Sequence, residues 1–337
     1  MDLYLLATEL AKDKDFAVSF ITADYEQNRI EEIAGVKIIK SLDFKKNPLN
    51  GAIKIWRAMQ TADAQIYFQE VASWGTFLVA LFCRLCNRIF IYRTANQPEC
   101  DGTYLKQHFF AGKAFRWSLH NAAQVVVQNE TDKKAIKETL SICSKVIPSG
   151  HHLPTLSRCK KDIILWVGRS DRIKRPELFI NLAEQIPNEW FTMICRRATD
   201  DQKYEELIDR AKQFKNLEFI KRAEFDEMES YFAHAKLFVC TSKGEGFPNT
   251  YVEACKHATP ILSLCVNPDN FLNRHKCGIC ADGDWSGFIS QLKVLLKSEE
   301  RERYGVNARL YAEKNHNIKN IVEEYKHILS KLASSRS

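Results

Sequence analysis

The chain has 337 residues, of which 45% are hydrophobic and 27% are charged, and its formal net charge is +7. This length favours two domains of ordinary size, and this composition excludes a disordered or fibrous chain. No apolar run reaches bilayer-spanning length and no secretory leader is evident, so a cytoplasmic protein is expected. The basic excess suits an anionic partner without choosing among a nucleotide, a membrane surface and a nucleic acid.

Short β-like runs alternate with longer amphipathic stretches along the whole chain. In the first half, the predicted strands are residues 17–22, 36–39, 65–69, 88–93 and 124–128, and the predicted helices include residues 3–12, 48–61 and 73–86. In the second half, the predicted strands are residues 163–167, 190–194, 217–220, 237–240 and 260–264, and the predicted helices include residues 176–186, 204–214, 227–235 and 249–257. Beyond Trp285 the pattern is almost entirely helical. The alternation predicts α/β domains with doubly wound parallel sheets.

A turn-rich stretch bracketed by Pro148 and Pro154 predicts a linker between two domains. We therefore expect an N-terminal domain over residues 1–149, a second domain over residues 150–316, and a C-terminal helix with a frayed tail over residues 317–337. Two such domains are expected to face each other across a cleft. Ligands of open α/β sheets bind at the carboxyl ends of the strands, so that cleft is the predicted ligand site.

Eleven cysteines are an odd number, which favours free thiols over a disulfide framework. Two Cys-x-x-Cys pairs occur, Cys83/Cys86 and Cys277/Cys280. The first pair lies in an apolar helical stretch, where cysteine packs as a small hydrophobic residue. A zinc site built from the two pairs is not predicted.

The segment from Thr241 to Cys255 carries the most chemical information. It follows an apolar strand, and Gly244 and Gly246 allow its backbone to approach a ligand closely. A helix is expected to begin after Pro248, with Asn249 or Thr250 as its cap. The N–H groups and the positive dipole end of such a helix attract a pyrophosphate.

Two carboxylates belong to this segment. Glu253 is expected in the first turn of the helix, where it can accept hydrogen bonds from a ribose, and Glu245 lies on the preceding loop within reach of sugar hydroxyls. Thr250-x-x-Glu253 is also a capping-box pattern, so the spacing alone leaves a purely structural helix start open.

A second segment combines a strand end with basic residues. The run 163–167 leads into Gly168 and Arg169, and Lys174 follows before the next predicted helix. Arg169 and Lys174 can neutralise a diphosphate as a bond to it breaks. The alternative is a pair of solvated basic side chains on a loop.

These segments resemble the retaining glycosyltransferases of family 4, also called group 1. The resemblance is carried by two glutamates with seven residues between them in the run Glu-Gly-Phe-Pro-Asn-Thr-Tyr-Val-Glu-Ala, residues 245–254, and by the Gly168-Arg169 strand end with Lys174. It implies the GT-B fold, in which two Rossmann-like domains face across a cleft. It also implies Glu245, Arg169 and Lys174 as catalytic residues. The donor-binding residues implied are Gly168, Arg222, Phe247, Pro248, Asn249, Thr250 and Glu253.

The likeness is looser in the first half, where two features depart from the family. The chain begins at what looks like the first helix, so the N-terminal domain is expected to be truncated and to lack its first strand, which is central in a doubly wound sheet. The stretch 91–96 holds no counterpart of the histidine that many members place near the sugar, although Arg93 or Asn96 offers a polar contact.

The implied reaction moves a sugar from a UDP- or GDP-sugar to a hydroxyl of a glycan or lipid-linked acceptor with retention, in cell-surface polysaccharide synthesis. No metal and no cofactor are implied. A basic aromatic stretch, residues 106–117, suits an anionic membrane surface or, equally, a buried helix with a solvated edge. Three alternatives stay open: a non-catalytic sugar-nucleotide binder, a sugar-nucleotide epimerase without identifiable acid/base residues, and a nucleic-acid-binding protein. The last rests on charge alone, since the basic residues are dispersed and match no recognition motif, so no nucleic-acid partner is predicted.

Overall fold

The structure, a computed structural model, describes residues 2–41, 48–156, 159–199 and 201–335. The chain divides into two compact units. The first unit consists of Met1–His151 together with Asn317–Ser337, and the second unit consists of His152–His316. The chain thus leaves the first unit within the predicted linker and returns to it after the second unit is complete.

The first unit contains two sheets. One has three strands, β1 (Ser19–Thr22), β2 (Ile30–Ile33) and β3 (Val36–Lys40), in the order β1-β3-β2. The other is a parallel sheet of β4 (Ile66–Glu70), β5 (Ile89–Arg93), β6 (Gln124–Val127) and β7 (Ser144–Val146), in that order. The helices of this unit are α1 (Asp2–Leu10), α2 (Pro48–Ala62), α3 (Trp74–Leu85), α4 (Thr103–Gln107), α5 (Phe109–His120), α6 (Glu130–Leu140) and the C-terminal α14 (Ile318–Ser334).

Helices cover both faces of the parallel sheet in the first unit. Ile89 and Ile91 of β5 pack with α1 and α14, whereas Phe90 and Tyr92 pack with α2, α3 and α5. Every residue of β5 is buried, as expected for a parallel strand between two helical layers.

The strands of the first unit do not form one continuous sheet. Among the described residues, β1 pairs only with β3, and β4 pairs only with β5. No described strand pairs with the second edge of β1 or of β4.

The second unit is a doubly wound domain. Its strands are β8 (Ile163–Arg169), β9 (Trp190–Arg196), β10 (Leu217–Ile220), β11 (Ala235–Cys240), β12 (Ile261–Ser263) and β13 (Gly278–Cys280). All pairs are parallel, in the order β10-β9-β8-β11-β12-β13. The helices are α7 (Pro176–Gln185), α8 (Tyr204–Ala211), α9 (Phe225–His234), α10 (Asn249–Lys256), α11 (Phe271–His275), α12 (Trp285–Leu295) and α13 (Ser298–Asn315).

The strand order of the second unit reverses between β8 and β11. From β8 the chain moves outward to β9 and β10, and from β11 it moves the other way to β12 and β13. The carboxyl ends of these two central strands therefore open onto a topological switch point, where α/β sheets hold their ligands. Burial on both faces fixes β8 in the middle of the sheet, because Ile164 and Trp166 pack into the core on one face while Leu165 packs into the core on the other.

All the predicted strands are present, with bounds within two residues of those expected. The α/β prediction is confirmed. The sequence pattern did not reveal the short strands β2, β7 and β13 or the helices α4, α6 and α11, all of which are short or weakly apolar. None of the described helices is long and apolar enough to cross a bilayer. Of the predicted frayed tail, residues 336 and 337 lie outside the described residues.

Candidate functional site

The two segments singled out in the sequence lie on loops at the switch point of the second unit. Gly168 and Arg169 end β8, and the loop after them carries Lys174. The loop after β11, residues 241–248, carries Glu245 and leads into α10. Because β8 and β11 are parallel neighbours, their carboxyl ends bring the two loops to one edge of the sheet.

An ion pair joins the two loops. Lys174 Nζ lies 2.6 Å from Glu245 Oε2, and the two side chains are 21% and 16% exposed. Two predicted catalytic residues, separated by about seventy positions in sequence, are thus in direct contact. The other carboxylate oxygen of Glu245 lies 4.0 Å from the Cys240 thiol. Burial, with a smaller effect of the Glu245 charge, raises the pKa of Cys240, so this thiol stays neutral beside the carboxylate.

Hydrogen bonds to Thr241 hold the loops in this position. Its hydroxyl accepts from the Trp166 indole N–H at 2.9 Å and donates to the Lys174 carbonyl at 2.6 Å. The Arg175 side chain, through Nε, donates to the Thr241 carbonyl at 2.7 Å. A backbone bond from Lys243 to the Ile173 carbonyl, 2.8 Å, completes the link. Thr241 and Arg175 are not among the site residues predicted from the sequence, although a polar residue at a buried strand end was the available signal.

The hydrogen-bonded position of the Trp166 ring also explains why residue 168 is a glycine. A Cβ atom at this position would stand 2.8 Å from the Trp166 ring, which is buried and is held by Thr241. Any larger residue would therefore displace the indole that positions the Lys174 loop. The resemblance implies Gly168 as a donor-binding residue, which stays a prediction, and the contact with Trp166 gives this glycine a structural role within the second unit.

The N-terminus of α10 differs from the predicted one. The helix begins at Asn249 with Pro248 as its N-cap, so neither Asn249 nor Thr250 is the cap, and no side chain caps this end among the described residues. The Thr250/Glu253 capping box is not formed, because Glu253 is the fifth helical residue and lies in the second turn, not the first. The backbone N–H groups of Asn249 and Thr250 therefore stay available at the positive end of the helix dipole.

Glu253 is held by a lysine one turn further along the same helix. Its Oε2 lies 2.9 Å from Lys256 Nζ, and the carboxylate side chain is 22% exposed. Lys256 is buried and has a second carboxylate, Glu229, at 3.6 Å. Lys256 thus orients the Glu253 carboxylate, and Glu229 interacts with the same positive charge of Lys256.

Phe247 anchors the loop before α10 through its ring. The ring packs against Phe271 at 5.0 Å and His316 at 5.2 Å between centroids, and it stacks with Tyr311 at 6.4 Å. The side chain of Phe247 therefore points into an aromatic cluster, which leaves its backbone for contact with a ligand. Gly244, on the same loop, faces open space.

Two predicted basic residues lie further from this cluster. Arg169 is two-thirds exposed, and its guanidinium lies 3.4 Å from the Asp171 carboxylate. Arg222 follows β10, the edge strand, and its guanidinium lies 3.2 Å from Glu224, with both side chains exposed. Arg169 is adjacent to the loops, whereas Arg222 contacts none of the other predicted residues among the described contacts.

Among the described residues, no group of three His, Cys, Asp or Glu side chains could hold a metal ion. The sequence contains two Asp-x-Asp pairs, Asp13/Asp15 and Asp282/Asp284. Neither pair lies on the loops after β8 and β11, and Asp284 caps α12 by accepting from the Ser286 N–H.

The family model named Glycosyl transferases group 1 matches residues 154–311, nearly the whole of the second unit. Both loops of the candidate site fall within the matched residues. A search of curated proteins finds no match to the chain.

Solved structures of similar fold cover the chain almost completely. A sucrose-phosphate synthase from Thermosynechococcus elongatus has a TM-score of 0.78 at 15% identity, over 98% of this chain and 92% of that one. HepE from Anabaena, solved in complex with UDP, has a TM-score of 0.72 at 15% identity, over 98% and 96%. A UDP-forming trehalose-phosphate synthase from Burkholderia vietnamiensis has a TM-score of 0.76 at 11% identity, over 97% of both chains.

At such identities these neighbours establish the fold, which is GT-B with two Rossmann-like domains, as the sequence predicted. The family model adds the sequence likeness of the second unit. The chain thus shares the GT-B fold over nearly its whole length, and its sequence is similar to group 1 glycosyltransferases over residues 154–311.

Proposed function

We propose that the chain is a retaining, metal-independent glycosyltransferase that takes its sugar from a UDP- or GDP-sugar bound at the switch point of the second unit. The observation that carries this proposal is the pairing of Lys174 with Glu245 beside the uncapped N-terminus of α10. The helix N-terminus and the lysine attract anions, and the carboxylate can accept hydrogen bonds from hydroxyl groups. Hydrogen bonds between the two loops hold these groups in position, so together they suit a ligand that combines phosphate and hydroxyl groups.

The diphosphate of the donor is expected at the start of α10. The free N–H groups of Asn249 and Thr250 would donate to its oxygens, and Pro248 sets the direction in which the helix points. Lys174 and the exposed Arg169 would neutralise the negative charge that grows as the bond to the sugar breaks. The chemistry thus needs no metal, since fixed cations would supply the charge.

The ribose and the sugar are assigned to the two glutamates. Glu253, oriented by Lys256, would accept hydrogen bonds from the ribose hydroxyls. Glu245 would accept from hydroxyls of the transferred sugar, and its contact with Lys174 holds the carboxylate in position. The backbone of residues 247–249 would pass along the sugar and phosphates, since the Phe247 ring itself is packed away.

In the reaction, the bond between the anomeric carbon and the diphosphate oxygen breaks and a bond from that carbon to the acceptor oxygen forms on the same face. The acceptor hydroxyl gives its proton to the leaving diphosphate. The protein contributes position and charge stabilisation, worth roughly 10²- to 10³-fold for each well-placed charged group.

The base of the nucleotide is expected beside the ends of β9 and β10. There the backbone carbonyl of Cys195 accepts from the Tyr204 hydroxyl at 2.6 Å, and Arg222 with Glu224 forms an exposed ion pair. UDP is the nucleotide in the HepE complex and in the complex of the pneumococcal O-GlcNAc transferase GtfA, which makes it the first nucleotide to test here.

A glycan or lipid-linked acceptor, used in cell-surface polysaccharide synthesis, is the substrate we assign to the first unit. Phe109 and Phe110, at the start of α5, are 63% and 74% exposed, and Lys106, Lys113 and Arg116 are exposed around them. Exposed aromatic and basic side chains together suit an anionic lipid surface. We include peripheral contact with the inner face of the cell membrane in the proposal on this ground.

The proposal is tested by release of nucleoside diphosphate from UDP- and GDP-sugars, with glycan and lipid-linked acceptors added. Lys174→Gln is expected to lower the rate about 10²- to 10³-fold. The matched control is Lys243→Gln, because Lys243 is exposed and only its backbone takes part in the loop contacts. Tight nucleotide binding with no turnover of any donor would instead support a non-catalytic sugar-nucleotide binder.

A further inference from the structure

A small pocket lies in the first unit between α2 and the paired strands β2 and β3. Its volume is about 280 Å³, near the lower end of the range of about 300–1000 Å³ for small-molecule sites. The described residues around it all lie between Asp24 and Thr61, so the pocket is separate from the loops after β8 and β11 in the second unit. The function proposed above assigns no role to it.

The inner part of the pocket is apolar. Ile30 of β2 and Ile39 of β3 are partners in the antiparallel pair, so their side chains lie on the same face of the sheet, and both line the pocket. The lining residues of α2 recur at intervals of three and four, which places them on one face of the helix: Lys54, Arg57, Ala58 and Thr61. Ile39 and Ala58 are buried, so apolar contact is available at the base of the pocket.

Positive charge is concentrated around this apolar base. The described residues that line the pocket include four cations and one carboxylate: Arg29, Lys40, Lys54, Arg57 and Asp24. Their formal charges leave an excess of three positive charges, whereas the whole chain of 337 residues has an excess of seven. A large part of the basic excess thus lies around one small pocket, and such a pocket attracts anions.

Among the described residues, one of these four cations forms an ion pair. Lys40 Nζ lies 2.9 Å from Asp24 Oδ1, and the two side chains are 24% and 30% exposed. The hydrogen bond from Lys40 lowers the pKa of the Asp24 carboxyl, and the charge of Lys54 has a smaller effect in the same direction. Arg29, Lys54 and Arg57 have no carboxylate partner in the described part of the chain, so three cations are available to a ligand.

Backbone hydrogen bonds hold the strand side of the pocket in place. The N–H of Lys40 donates to the Arg29 carbonyl at 3.0 Å, which fixes the start of β2 against the end of β3. The Ser41 hydroxyl donates to the Thr22 carbonyl at 2.8 Å, which fixes the end of β3 against the end of β1. The cations therefore stand on a preformed frame, and a preformed site loses little conformational entropy when it binds a ligand.

The charge and the residue types around the pocket favour a phosphate group over a carboxylate. A carboxylate brings one negative charge, whereas a phosphate ester brings about −1.5 to −2 at pH 7 together with three acceptor oxygens. The guanidinium groups of Arg29 and Arg57 match the spacing of phosphate oxygens, and Lys54 adds a compact charge beside them. The apolar base suits an organic group attached to the phosphate.

We propose that this pocket binds the phosphate group of a second ligand, distinct from the nucleotide-sugar donor. Arg29, Lys54 and Arg57 donate to the phosphate oxygens, and Ile39 contacts the part of the ligand next to the phosphate. Lys40 stays paired with Asp24 at the edge of the site. The phosphate belongs to a soluble ester or to a lipid headgroup, and the experiment separates these two sources. The proposal does not depend on the activity assigned to the second unit.

The test is calorimetric titration of the full chain with inorganic pyrophosphate at low salt and without divalent metal. A Kd below about 1 mM is expected, rising when the salt concentration is raised because the site is partly exposed. Lys54→Gln and Arg57→Gln are each expected to raise the Kd about fivefold, and together at least tenfold. The matched control is Lys14→Gln, which removes the same charge from an exposed loop away from the pocket and is expected to change the Kd less than about twofold.

A variant with the opposite expected effect separates ligand contact from general damage to the fold. Asp24→Asn removes the one described carboxylate of the pocket and keeps an oxygen at the same position, so the Kd for pyrophosphate is expected to fall about threefold or more. Thermal melts show which variants are folded, and the Lys54 and Arg57 variants still decide if Asp24→Asn is not.

Vesicles identify the source of the phosphate. The unmodified chain and the double variant Lys54→Gln with Arg57→Gln are sedimented with phosphatidylcholine vesicles, with and without phosphatidylglycerol. Binding to the phosphatidylglycerol vesicles that the double variant loses, and that pyrophosphate competes away, assigns the pocket to a lipid headgroup. Pyrophosphate binding that depends on the pocket, together with equal vesicle binding of the two chains, assigns it to a soluble phosphate ester. Either outcome supports the site.

Two results would overturn the proposal. The first is a folded chain that binds neither pyrophosphate nor the phosphatidylglycerol vesicles through the pocket, shown by equal binding of the double variant and the Lys14→Gln control. The second is pyrophosphate binding that Lys174→Gln weakens and the double variant does not, because the ion would then occupy the second unit. Loss of UDP and GDP binding leaves both readouts unaffected, so failure of the nucleotide site and failure of this pocket are distinguishable.

Discussion

Replacement of Glu253 by alanine gives the sharpest view of the nucleotide site, because the chain supplies a matched control. Glu253 and Glu229 are both ion-paired with the buried Lys256, at 2.9 and 3.6 Å. Glu253→Ala and Glu229→Ala each remove one negative charge beside this lysine and each leave it one carboxylate. Only Glu253 lies on α10, near the helix end assigned to the donor.

The expected effect of Glu253→Ala follows from the hydrogen bonds it would remove. A hydrogen bond to a charged acceptor contributes about 1.5–3 kcal/mol, which corresponds to roughly a 10- to 150-fold rise in the Kd of the nucleotide. Glu229 is half exposed and makes no ligand contact in the proposal, so Glu229→Ala is expected to change the Kd less than about threefold.

The assay is calorimetric titration of both variants with the nucleotide that the unmodified chain binds, after thermal melts have shown that each is folded. A folded Glu253→Ala variant with unchanged Kd would refute the assignment of Glu253 to the ribose. Equal losses in the two variants would show that the local charge, not a direct contact, controls binding.

Three further predictions concern the structure around the site. Gly168→Val places a Cβ against the buried Trp166 ring and is expected to lower the free energy of unfolding by about 1–3 kcal/mol, whereas Gly244→Val, in open space, should change it by less than about 0.5 kcal/mol; urea denaturation compares the two. The double exchange Lys174→Glu with Glu245→Lys keeps an ion pair, so stability should change by less than about 1 kcal/mol while sugar transfer is lost; retained transfer would contradict the assigned roles. Burial lowers the pKa of His257 from 6.5 to about 4, so the unfolded chain takes up this proton first. The contribution of His257 to the free energy of unfolding should therefore fall by about 3 kcal/mol as the pH falls from 6.5 to 4 and stay level below pH 4. His257→Gln should remove this pH dependence of the free energy of unfolding. An unchanged pH dependence would exclude His257 as its source.

The sequence predicts the second unit well because local signals and tertiary packing agree there. The strand before Gly168 and the strand before Thr241 are continuous apolar runs, and both are central in the sheet. A glycine-rich loop followed by a helix is enough to predict an anion site, since the chemistry depends on backbone groups. The contact between Lys174 and Glu245 is not predictable in the same way, because it depends on β8 and β11 being neighbours.

Other features depended on contacts that single-sequence patterns do not encode. Thr250-x-x-Glu253 matches a capping box, yet Pro248 takes the cap and shifts Glu253 into the second turn, where it meets Lys256. Arg175 adopts a left-handed backbone conformation, with φ of 50°, and bridges to the Thr241 loop, which propensity alone does not suggest. The return of α14 to the first unit is a matter of packing, because Ile318, Ile321 and Tyr325 bury against strands more than a hundred and fifty residues earlier.

The measurement that tests the central claim most directly is calorimetric titration of the unmodified chain with UDP, GDP and ADP in the presence of a chelator. We expect one of the three to bind with one-to-one stoichiometry and a Kd between about 1 µM and 1 mM, without dependence on divalent metal. A folded chain that binds none of them would contradict the assignment of the switch point in the second unit to a nucleotide-sugar donor.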